Sequence, residues 1–157
     1  MSITIKTTKE NIDWASVAGL LNYFGLSQLD TDTQKQVFLN SYAVAFAYDG
    51  EKLIGCGRVI SDGICQAAMY NIAVNEDYHG QGIGRRIIES LLEQVKGCTV
   101  TLYTHPRSVA LYEKFGFRRL KTGLTRFADP DHSLDYLEST GFIFSEKFRF
   151  NDNEYDS

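Results

Sequence analysis

The chain is poor in the features that mark membrane, secreted and nucleic-acid-binding proteins. None of its apolar runs reaches the roughly eighteen residues that a membrane-spanning helix needs, and its first residues lack the basic region and apolar block of a signal peptide. Its 16 Lys and Arg residues face 20 Asp and Glu residues, a net charge of −4, without a basic cluster. We therefore expect a cytoplasmic protein that binds neither membrane nor nucleic acid.

Cysteine is scarce as well. Cys56, Cys65 and Cys98 are odd in number and far apart along the chain, with neither the spacing of metal ligands nor that of a redox pair. The sequence predicts buried thiols in a reducing compartment and no metal site.

What the chain does have suits a single globular domain. It has 157 residues, 43% of them hydrophobic, which is enough for a proper core. We predict one domain over residues 1–150, with residues 131–150 as its C-terminal extension and residues 151–157 as a disordered tail.

The order of apolar patterns predicts a mixed α/β fold. An edge strand at residues 3–6 precedes two helices, and a three-stranded meander follows over residues 42–74, with Asp49-Gly50 as its first turn. A strongly periodic helix then leads to a strand that crosses over to lie parallel to the previous one. Another helix ends near Gly116, and we expect short strands over residues 117–127, a short helix after residue 132 and a final strand over residues 142–150.

A glycine loop joins the last meander strand to the periodic helix. It reads His79-Gly80-Gln81-Gly82-Ile83-Gly84-Arg85. Glycine lets the backbone approach a ligand closely, and the first turn of a helix offers free N–H groups and a positive dipole end. The arrangement predicts an anion site, most commonly for phosphate. Arg85 and Arg86 fit a nearby anion, although two solvated arginines on a surface helix fit the sequence as well.

Two familiar phosphate loops do not match. A nucleotide-triphosphate loop needs Gly-Lys followed by Ser or Thr, which is absent here. A dinucleotide fingerprint needs a third glycine where this chain has Arg85 or Ile87, and a carboxylate after the next strand, which instead ends in Thr104 and His105.

The loop resembles the pyrophosphate loop of the GNAT superfamily of acetyl-CoA-dependent N-acetyltransferases, which reads Gln/Arg-x-x-Gly-x-Gly/Ala after a central strand. His79 stands where that motif has Gln or Arg. A second segment, Leu111-Tyr112-Glu113-Lys114-Phe115-Gly116-Phe117, resembles the later helix end of the same family. The resemblance is good over residues 41–122, extends to the first forty residues only in pattern and is slight over the last thirty.

The resemblance implies a mostly antiparallel central sheet flanked by helices, in which the fourth and fifth strands, here residues 65–74 and 98–104, splay around the coenzyme. It implies acetyl-CoA as cosubstrate and acetyl transfer to a primary amine of a small molecule or peptide by direct attack. The residues that it assigns to the coenzyme are Ile72, Ala73, Val74, His79, Gly80, Gln81, Gly82, Ile83, Gly84, Arg85, His105 and Tyr112.

For catalysis, the resemblance assigns Tyr112 as the general acid that assists departure of the thiolate. Without the resemblance, an aromatic residue that packs a helix onto a sheet is the simpler interpretation. No carboxylate occupies the inward positions of the preceding strand that serve some relatives as base. Tyr70 there is a poor base, with an ordinary pKa near 10, and is proposed only as a proton relay.

Tyr23, Phe24 and Leu29 fall where the family builds its acceptor pocket, although each fits a core position equally well. Two functions stay open: an amine acetyltransferase, and a non-catalytic acyl-CoA-binding or sensing domain that has lost its base. A pure interaction module fits the glycine loop poorly. Homodimerisation is also left open.

Overall fold

The computed structural model describes residues 2–149, so the tail predicted over residues 151–157 lies outside the described residues. The chain divides into two compact units, the first ending at Leu102 and the second beginning at Tyr103. The prediction of one domain over residues 1–150 stays a prediction. The helices and strands are β1 (Ile3–Lys6), α1 (Trp14–Tyr23), α2 (Thr31–Leu39), β2 (Ala43–Asp49), β3 (Lys52–Ser61), β4 (Gln66–Val74), a 3₁₀ turn (Glu76–Tyr78), α3 (Ile83–Gln94), β5 (Thr99–Thr101), a second 3₁₀ turn (Pro106–Ser108), α4 (Val109–Glu113) and α5 (Pro130–Ser139).

The first unit is built on one sheet whose strands lie in the order β1-β2-β3-β4-β5. The first three pairings are antiparallel, and β4 pairs with β5 in parallel. With helices on its faces, this sheet confirms the predicted mixed α/β class.

The helices α1 and α2 cover one face of the sheet. Asp13 and Asp30 start them by accepting hydrogen bonds from Ser16 N at 3.1 Å and Thr33 N at 2.8 Å, which satisfies backbone donors that a helix start leaves unpaired. Behind these caps, Val17, Leu21 and Phe38 are fully buried against β2 and β3. Burial of side chains of this size stabilises the fold by about 1.5–3 kcal/mol each.

The helix α3 lies against the opposite face, where two glycines of β3 allow close approach. A Cβ atom added to Gly57 would lie 2.9 Å from Ile87 and from Leu91, and one added to Gly55 would lie 2.8 Å from Ile87. The absence of these two side chains therefore sets how closely α3, and with it the loop at its start, lies to the sheet.

Several predicted boundaries in the first unit shift. The first turn of the meander is Gly50-Glu51 rather than Asp49-Gly50, because Asp49 still pairs with Lys52 and the positive φ of 59° falls on Gly50. The fifth strand covers only Thr99–Thr101, since its pairing with β4 ends there.

The expectation of buried thiols is met only in part. Cys56 is buried, but Cys98 is partly exposed and Cys65 is exposed at a bend before β4.

The second unit contains α4 and α5. Gly116 follows α4 with a φ of 89°, as a residue that stops a helix does. The short strands predicted over residues 117–127 do not form, and neither does a strand over residues 142–149, the described part of the predicted 142–150. Leu120 and Leu124 in the first of these segments are 64% and 97% exposed, so their apolar character does not reflect a buried strand face.

Candidate functional site

The loop that carries the glycine motif is exposed and left-handed at two positions. Gly80 and Gly82 have φ values of 79° and 76°, which side chains other than glycine adopt at a cost. A Cβ atom added to either would meet nothing within 4 Å. Because space is not the constraint, the backbone conformation is what requires glycine here.

This conformation leaves the start of α3 open to a ligand. Gly82 caps the helix without any side-chain hydrogen bond, so the first N–H groups of α3 receive no side-chain acceptor from their cap residue. Ile83 turns inward and is buried. The side-chain-free backbone of the loop, the helix dipole and the exposed surface together fit an anionic group such as a pyrophosphate.

The two arginines of the first turn have different surroundings. Arg86 donates to Ile3 O at 3.1 Å and so ties α3 to β1. Arg85 pairs with Glu89 at 2.8 Å on the surface, with 72% of its side chain exposed. Exposed pairs of this kind contribute little to stability.

Directly before the loop, β4 offers main-chain groups along an unpaired edge. Its parallel pairing with β5 involves only Gln66, Ala67 and Ala68, and within the described residues no strand pairs with the rest of β4 on that side. On the other side, Asn75 N donates to Ile54 O at 2.7 Å while Gly55 lies opposite Val74. In an antiparallel ladder this pattern turns the N–H and C=O groups of Val74 away from β3. They face the edge where β4 and β5 have parted.

A bulge interrupts β4 just before this edge. Asn71 and Ile72 together lie opposite Gly57, where the register between β3 and β4 shifts. Asn71 adopts a left-handed φ of 60°, and its Oδ1 accepts a hydrogen bond from Arg58 Nε at 2.6 Å. Bulges often sit beside functional sites, where they re-aim side chains or end a pairing. Arg58 and Asn71 are the site-shaping residues that the sequence reading missed, and the one signal for them was a charge inside the apolar run of β3.

His79 is turned back toward the sheet. Its Nε2 lies 2.6 Å from Val74 O, and its ring stacks on Phe24 at 5.9 Å. The carbonyl can only accept, so Nε2 carries the proton. The residue that departs from the family motif therefore braces the loop against β4 and α1.

The acceptor residues predicted from the sequence lie near this brace. Tyr23 packs edge-on against Phe24 at 5.1 Å and donates its hydroxyl to Glu76 Oε1 at 2.7 Å. This hydrogen bond raises the pKa of Tyr23, and the negative charge of Glu76 adds to the rise. Leu29, 38% exposed, follows in the α1–α2 connection, where its carbonyl accepts from Asn22.

A cavity of about 330 Å³ opens beside Tyr23. Glu76 and Asp77 line it together with Lys52 and the apolar stem of Leu20. Two carboxylates against one ammonium give its rim a net negative charge, which suits a cationic group such as a protonated amine.

Tyr112 lies in the second unit, on α4. It is 8% exposed and packs edge-on against Phe117 at 5.8 Å. Within residues 2–149 its hydroxyl has no hydrogen-bond partner, and no fully buried side-chain oxygen there lacks one, so the hydroxyl reaches the surface. Burial of the ring raises the pKa of Tyr112, which keeps the hydroxyl protonated at neutral pH. A protonated, unengaged hydroxyl is what a proton donor requires.

His105 begins the same segment. Its Nδ1 accepts from Arg107 N at 3.1 Å and caps the 3₁₀ turn that precedes α4, while its ring meets Phe142 edge-on at 5.3 Å. Since Nδ1 is engaged in this way, only Nε2 is left for a ligand.

Tyr70 does not stand alone on β4. The Arg58 guanidinium lies 5.2 Å from the centre of its ring. A cation at this position attracts the negative face of the ring, which holds Tyr70 beside the bulge.

Two further observations bear on cofactors and surroundings. Nowhere in residues 2–149 do three His, Cys, Asp or Glu side chains lie together as metal ligands would. In that same stretch, no helix is both long and apolar enough to cross a bilayer. The predicted cytoplasmic location stays a prediction.

Comparison with curated proteins gives relatives named as N-acetyltransferases. The chain is 33% identical over 69 residues to the uncharacterized N-acetyltransferase ycf52 of Pyropia yezoensis, covering 42% of this chain and 40% of that protein. It is 40% identical over 58 residues to the ribosomal protein bS18-alanine N-acetyltransferase of Escherichia coli, covering 33% and 39% respectively. The chain thus spans less than half the length of these curated relatives.

A solved structure agrees over a larger share of both chains. A GNAT family acetyltransferase from Streptococcus pneumoniae superposes with a TM-score of 0.70 at 26% identity, covering 80% of this chain and 98% of that one.

The family model of the acetyltransferase (GNAT) domain matches residues 40–119. This range includes the meander, the bulge, the glycine loop, α3 and the Tyr112 segment, which is more than half of the chain. The resemblance seen in the sequence is thereby confirmed, and the chain belongs to the GNAT acetyltransferase family.

Proposed function

We propose that this chain transfers the acetyl group of acetyl-CoA to the primary amine of a small molecule or peptide. The observation that carries the proposal is the open start of α3, where left-handed Gly80 and Gly82 expose backbone N–H groups beside the unpaired edge of β4. The loop suits the pyrophosphate. The Val74 carbonyl already accepts from His79 Nε2, so the N–H of Val74 is the group that suits a carbonyl of the pantetheine arm. Ile72 and Ala73 complete this strand segment, and Gln81 and Gly84 complete the loop.

Tyr112 supplies the proton in this proposal. The thiolate of the coenzyme leaves as the amine attacks, and the Tyr112 hydroxyl donates a proton or a hydrogen bond to the departing sulfur. The ordinary pKa of a tyrosine, near 10, is enough to keep this hydroxyl protonated at neutral pH until then. Because two bound substrates replace a bimolecular encounter, positioning supplies much of the rate.

The acceptor amine is proposed to enter beside Tyr23. The negatively charged rim at Glu76 and Asp77 attracts the ammonium form, and Glu76 accepts a hydrogen bond from Tyr23, one of the predicted acceptor residues. The amine has to lose a proton before it attacks, and Glu76 can accept it directly or through water. Tyr70, held against Arg58, stays a proposed relay.

The coenzyme assignment is tested by titrating acetyl-CoA into the protein by calorimetry. Gly82→Asp should abolish binding, because it adds a carboxylate where the pyrophosphate approaches and strains a φ of 76°. Gly97→Asp is the matched control, since Gly97 also has a positive φ, 94°, and open space around it but lies at the far end of α3. Equal affinity of wild type and Gly82→Asp, or an equal loss in both variants, would refute the loop as the site.

The activity is tested by screening amines and peptide N-termini with acetyl-CoA while monitoring release of free thiol. A peptide with N-terminal alanine belongs in the screen, because a relative is named as an alanine N-acetyltransferase. The second candidate function, a non-catalytic acyl-CoA-binding or sensing domain, is favoured by the β4 positions that resemble the base positions of some relatives, where Ala68 and Tyr70 supply no carboxylate. It predicts tight binding of acetyl-CoA without turnover of any amine.

A further inference from the structure

Two of the three thiols, distant in sequence, meet at the start of the parallel strand pair. Cys65 immediately precedes β4 and Cys98 immediately precedes β5. Gln66 lies opposite Thr99 in the parallel register, and Thr99 N donates to Cys65 O at 2.8 Å. One residue back on each strand, Cys65 and Cys98 are therefore neighbours across the pair. Adjacent strands lie about 4.8 Å apart, within the Cα separation of about 4.4–6.8 Å that a disulfide spans.

The side chains of Cys65 and Cys98 also point toward the same segment of chain. Cys65 Sγ donates to Asp62 Oδ2 at 3.1 Å, and Cys98 Sγ lies 3.7 Å from Ser61 Oγ. Ser61 is the last residue of β3, and Asp62 follows it as the first residue of the turn to β4. Both sulfur atoms therefore face the same short turn rather than opposite sides of the sheet.

The three thiols differ in access and reactivity. Cys65 is exposed and Cys98 partly so, whereas Cys56 is buried in the core, where burial raises its pKa to about 12. The hydrogen bond to Asp62 raises the pKa of Cys65, and the neighbouring Cys98 adds to the rise. The thiolate is the reactive form, so the raised pKa slows Cys65 at neutral pH and its reaction becomes faster as the pH rises. Burial keeps Cys56 away from an oxidant.

We propose that Cys65 and Cys98 are an oxidation site that closes into an intramolecular disulfide, with hydrogen peroxide as oxidant. The Cys65 thiolate attacks one peroxide oxygen, the O–O bond breaks, and the hydroxide that leaves takes up a proton to become water. Cys98 then attacks the sulfur of the resulting sulfenic acid. An S–S bond forms, the S–O bond breaks and a second water leaves. Two thiols thus lose two electrons and two protons to one peroxide, which yields two waters.

The disulfide would link β4 to β5 at their N-terminal ends, where the two strands pair, and not at the C-terminal end of β4, where they have separated. It would close a loop that contains the glycine motif and all of α3. A cross-link of this span stabilises chiefly by restricting the unfolded chain. For a domain of this size we expect the melting temperature of the oxidised protein to exceed that of the reduced protein by about 5–15 °C.

The test treats the purified 157-residue chain with hydrogen peroxide at pH 8, then blocks free thiols under denaturing conditions and maps peptides without reduction. We expect one peptide pair joined through Cys65 and Cys98, a monomer on non-reducing gels, and one thiol, Cys56, left to block. Cys65→Ser and Cys98→Ser should each abolish the linked peptide and the rise in melting temperature, while Cys56→Ala should keep both.

Other outcomes overturn the proposal. Linkage through Cys56, disulfide-linked dimers, or separate oxidation of Cys65 and Cys98 to sulfinic acids would each show that the two thiols do not face each other. A linked Cys65–Cys98 peptide with a lowered melting temperature would show that the strands must move apart to form the bond. The test does not involve acetyl-CoA, so its result is independent of the proposed transferase activity.

Discussion

Replacing Asn71 by alanine removes two features of β4 at once. Asn71 holds a left-handed φ of 60° at the bulge, a conformation that asparagine tolerates better than alanine by about 1 kcal/mol. Its Oδ1 also accepts the 2.6 Å hydrogen bond from the partly buried Arg58, and hydrogen bonds to a charged group contribute about 1.5–3 kcal/mol. We expect Asn71→Ala to lower the free energy of unfolding by about 3 kcal/mol, and the melting temperature by about 6–12 °C.

Two further substitutions separate these contributions. Asn71→Gly accepts the backbone conformation but lacks the acceptor, so it should lose less stability than Asn71→Ala. Asn71→Asp tolerates the left-handed region and places a carboxylate against the guanidinium, so it should equal or exceed the wild type. Denaturant unfolding of all four proteins should rank aspartate at or above asparagine, then glycine, then alanine, from most to least stable. A stable Asn71→Ala variant, or a glycine variant less stable than the alanine variant, would refute the reasoning.

Three more predictions concern catalysis and pH. Tyr112→Phe should lower kcat by about 100-fold, the lower end for general acid catalysis, while calorimetry shows nearly unchanged affinity for acetyl-CoA. Tyr136→Phe on exposed α5 is the control. An unchanged kcat in Tyr112→Phe would show that Tyr112 has only a packing role. Tyr23→Phe, which loses the 2.7 Å hydrogen bond to Glu76, should raise the acceptor KM by about 2–10-fold with acetyl-CoA binding intact, and a change in coenzyme affinity alone would contradict the acceptor assignment. Asp62 accepts N–H bonds that hold its pKa below its ordinary value of 3.8. Its contribution to the stability of the fold is therefore complete above about pH 5 and is lost as the pH falls. The difference in melting temperature between wild type and Asp62→Ala should shrink toward pH 2, and a constant difference would contradict this linkage.

The sequence predicted the parts of the fold that depend on local pattern. The periodic apolar face of α3 (Ile83, Ile87, Ile88 and Leu91) is buried as expected, and Gly80 and Gly82 of the loop adopt left-handed conformations. Local signals of this kind predict structure well, because the spacing of apolar residues in a helix and the conformational freedom of glycine each depend on only a few neighbouring residues.

Predictions failed where the outcome depends on residues far apart. Leu120 and Leu124 looked like strand positions, but no strand in the described residues pairs with their segment. The meeting of Cys65 and Cys98 follows only from the parallel register of β4 and β5, which no spacing in the sequence encodes. Asn71 gains its role from Arg58 on the neighbouring strand, and the charge of Arg58 within an apolar strand does not by itself indicate its partner. Long-range pairing, rather than local preference, decides each of these.

The order of the strands in the sheet has a consequence for how the chain folds. The hairpins β2–β3 and β3–β4 join neighbours along the chain, so these pairings close short loops and carry a low entropic penalty. The parallel pairing of β4 with β5 joins residues that are separated by the whole segment containing α3, and such non-local contacts form slowly. We therefore expect folding of the first unit to have a local stage that builds the meander and a slower, non-local stage that adds β5 and also β1, which pairs with β2 across α1 and α2. The parting of β4 from β5, where the proposed coenzyme arm lies, is a product of that second stage.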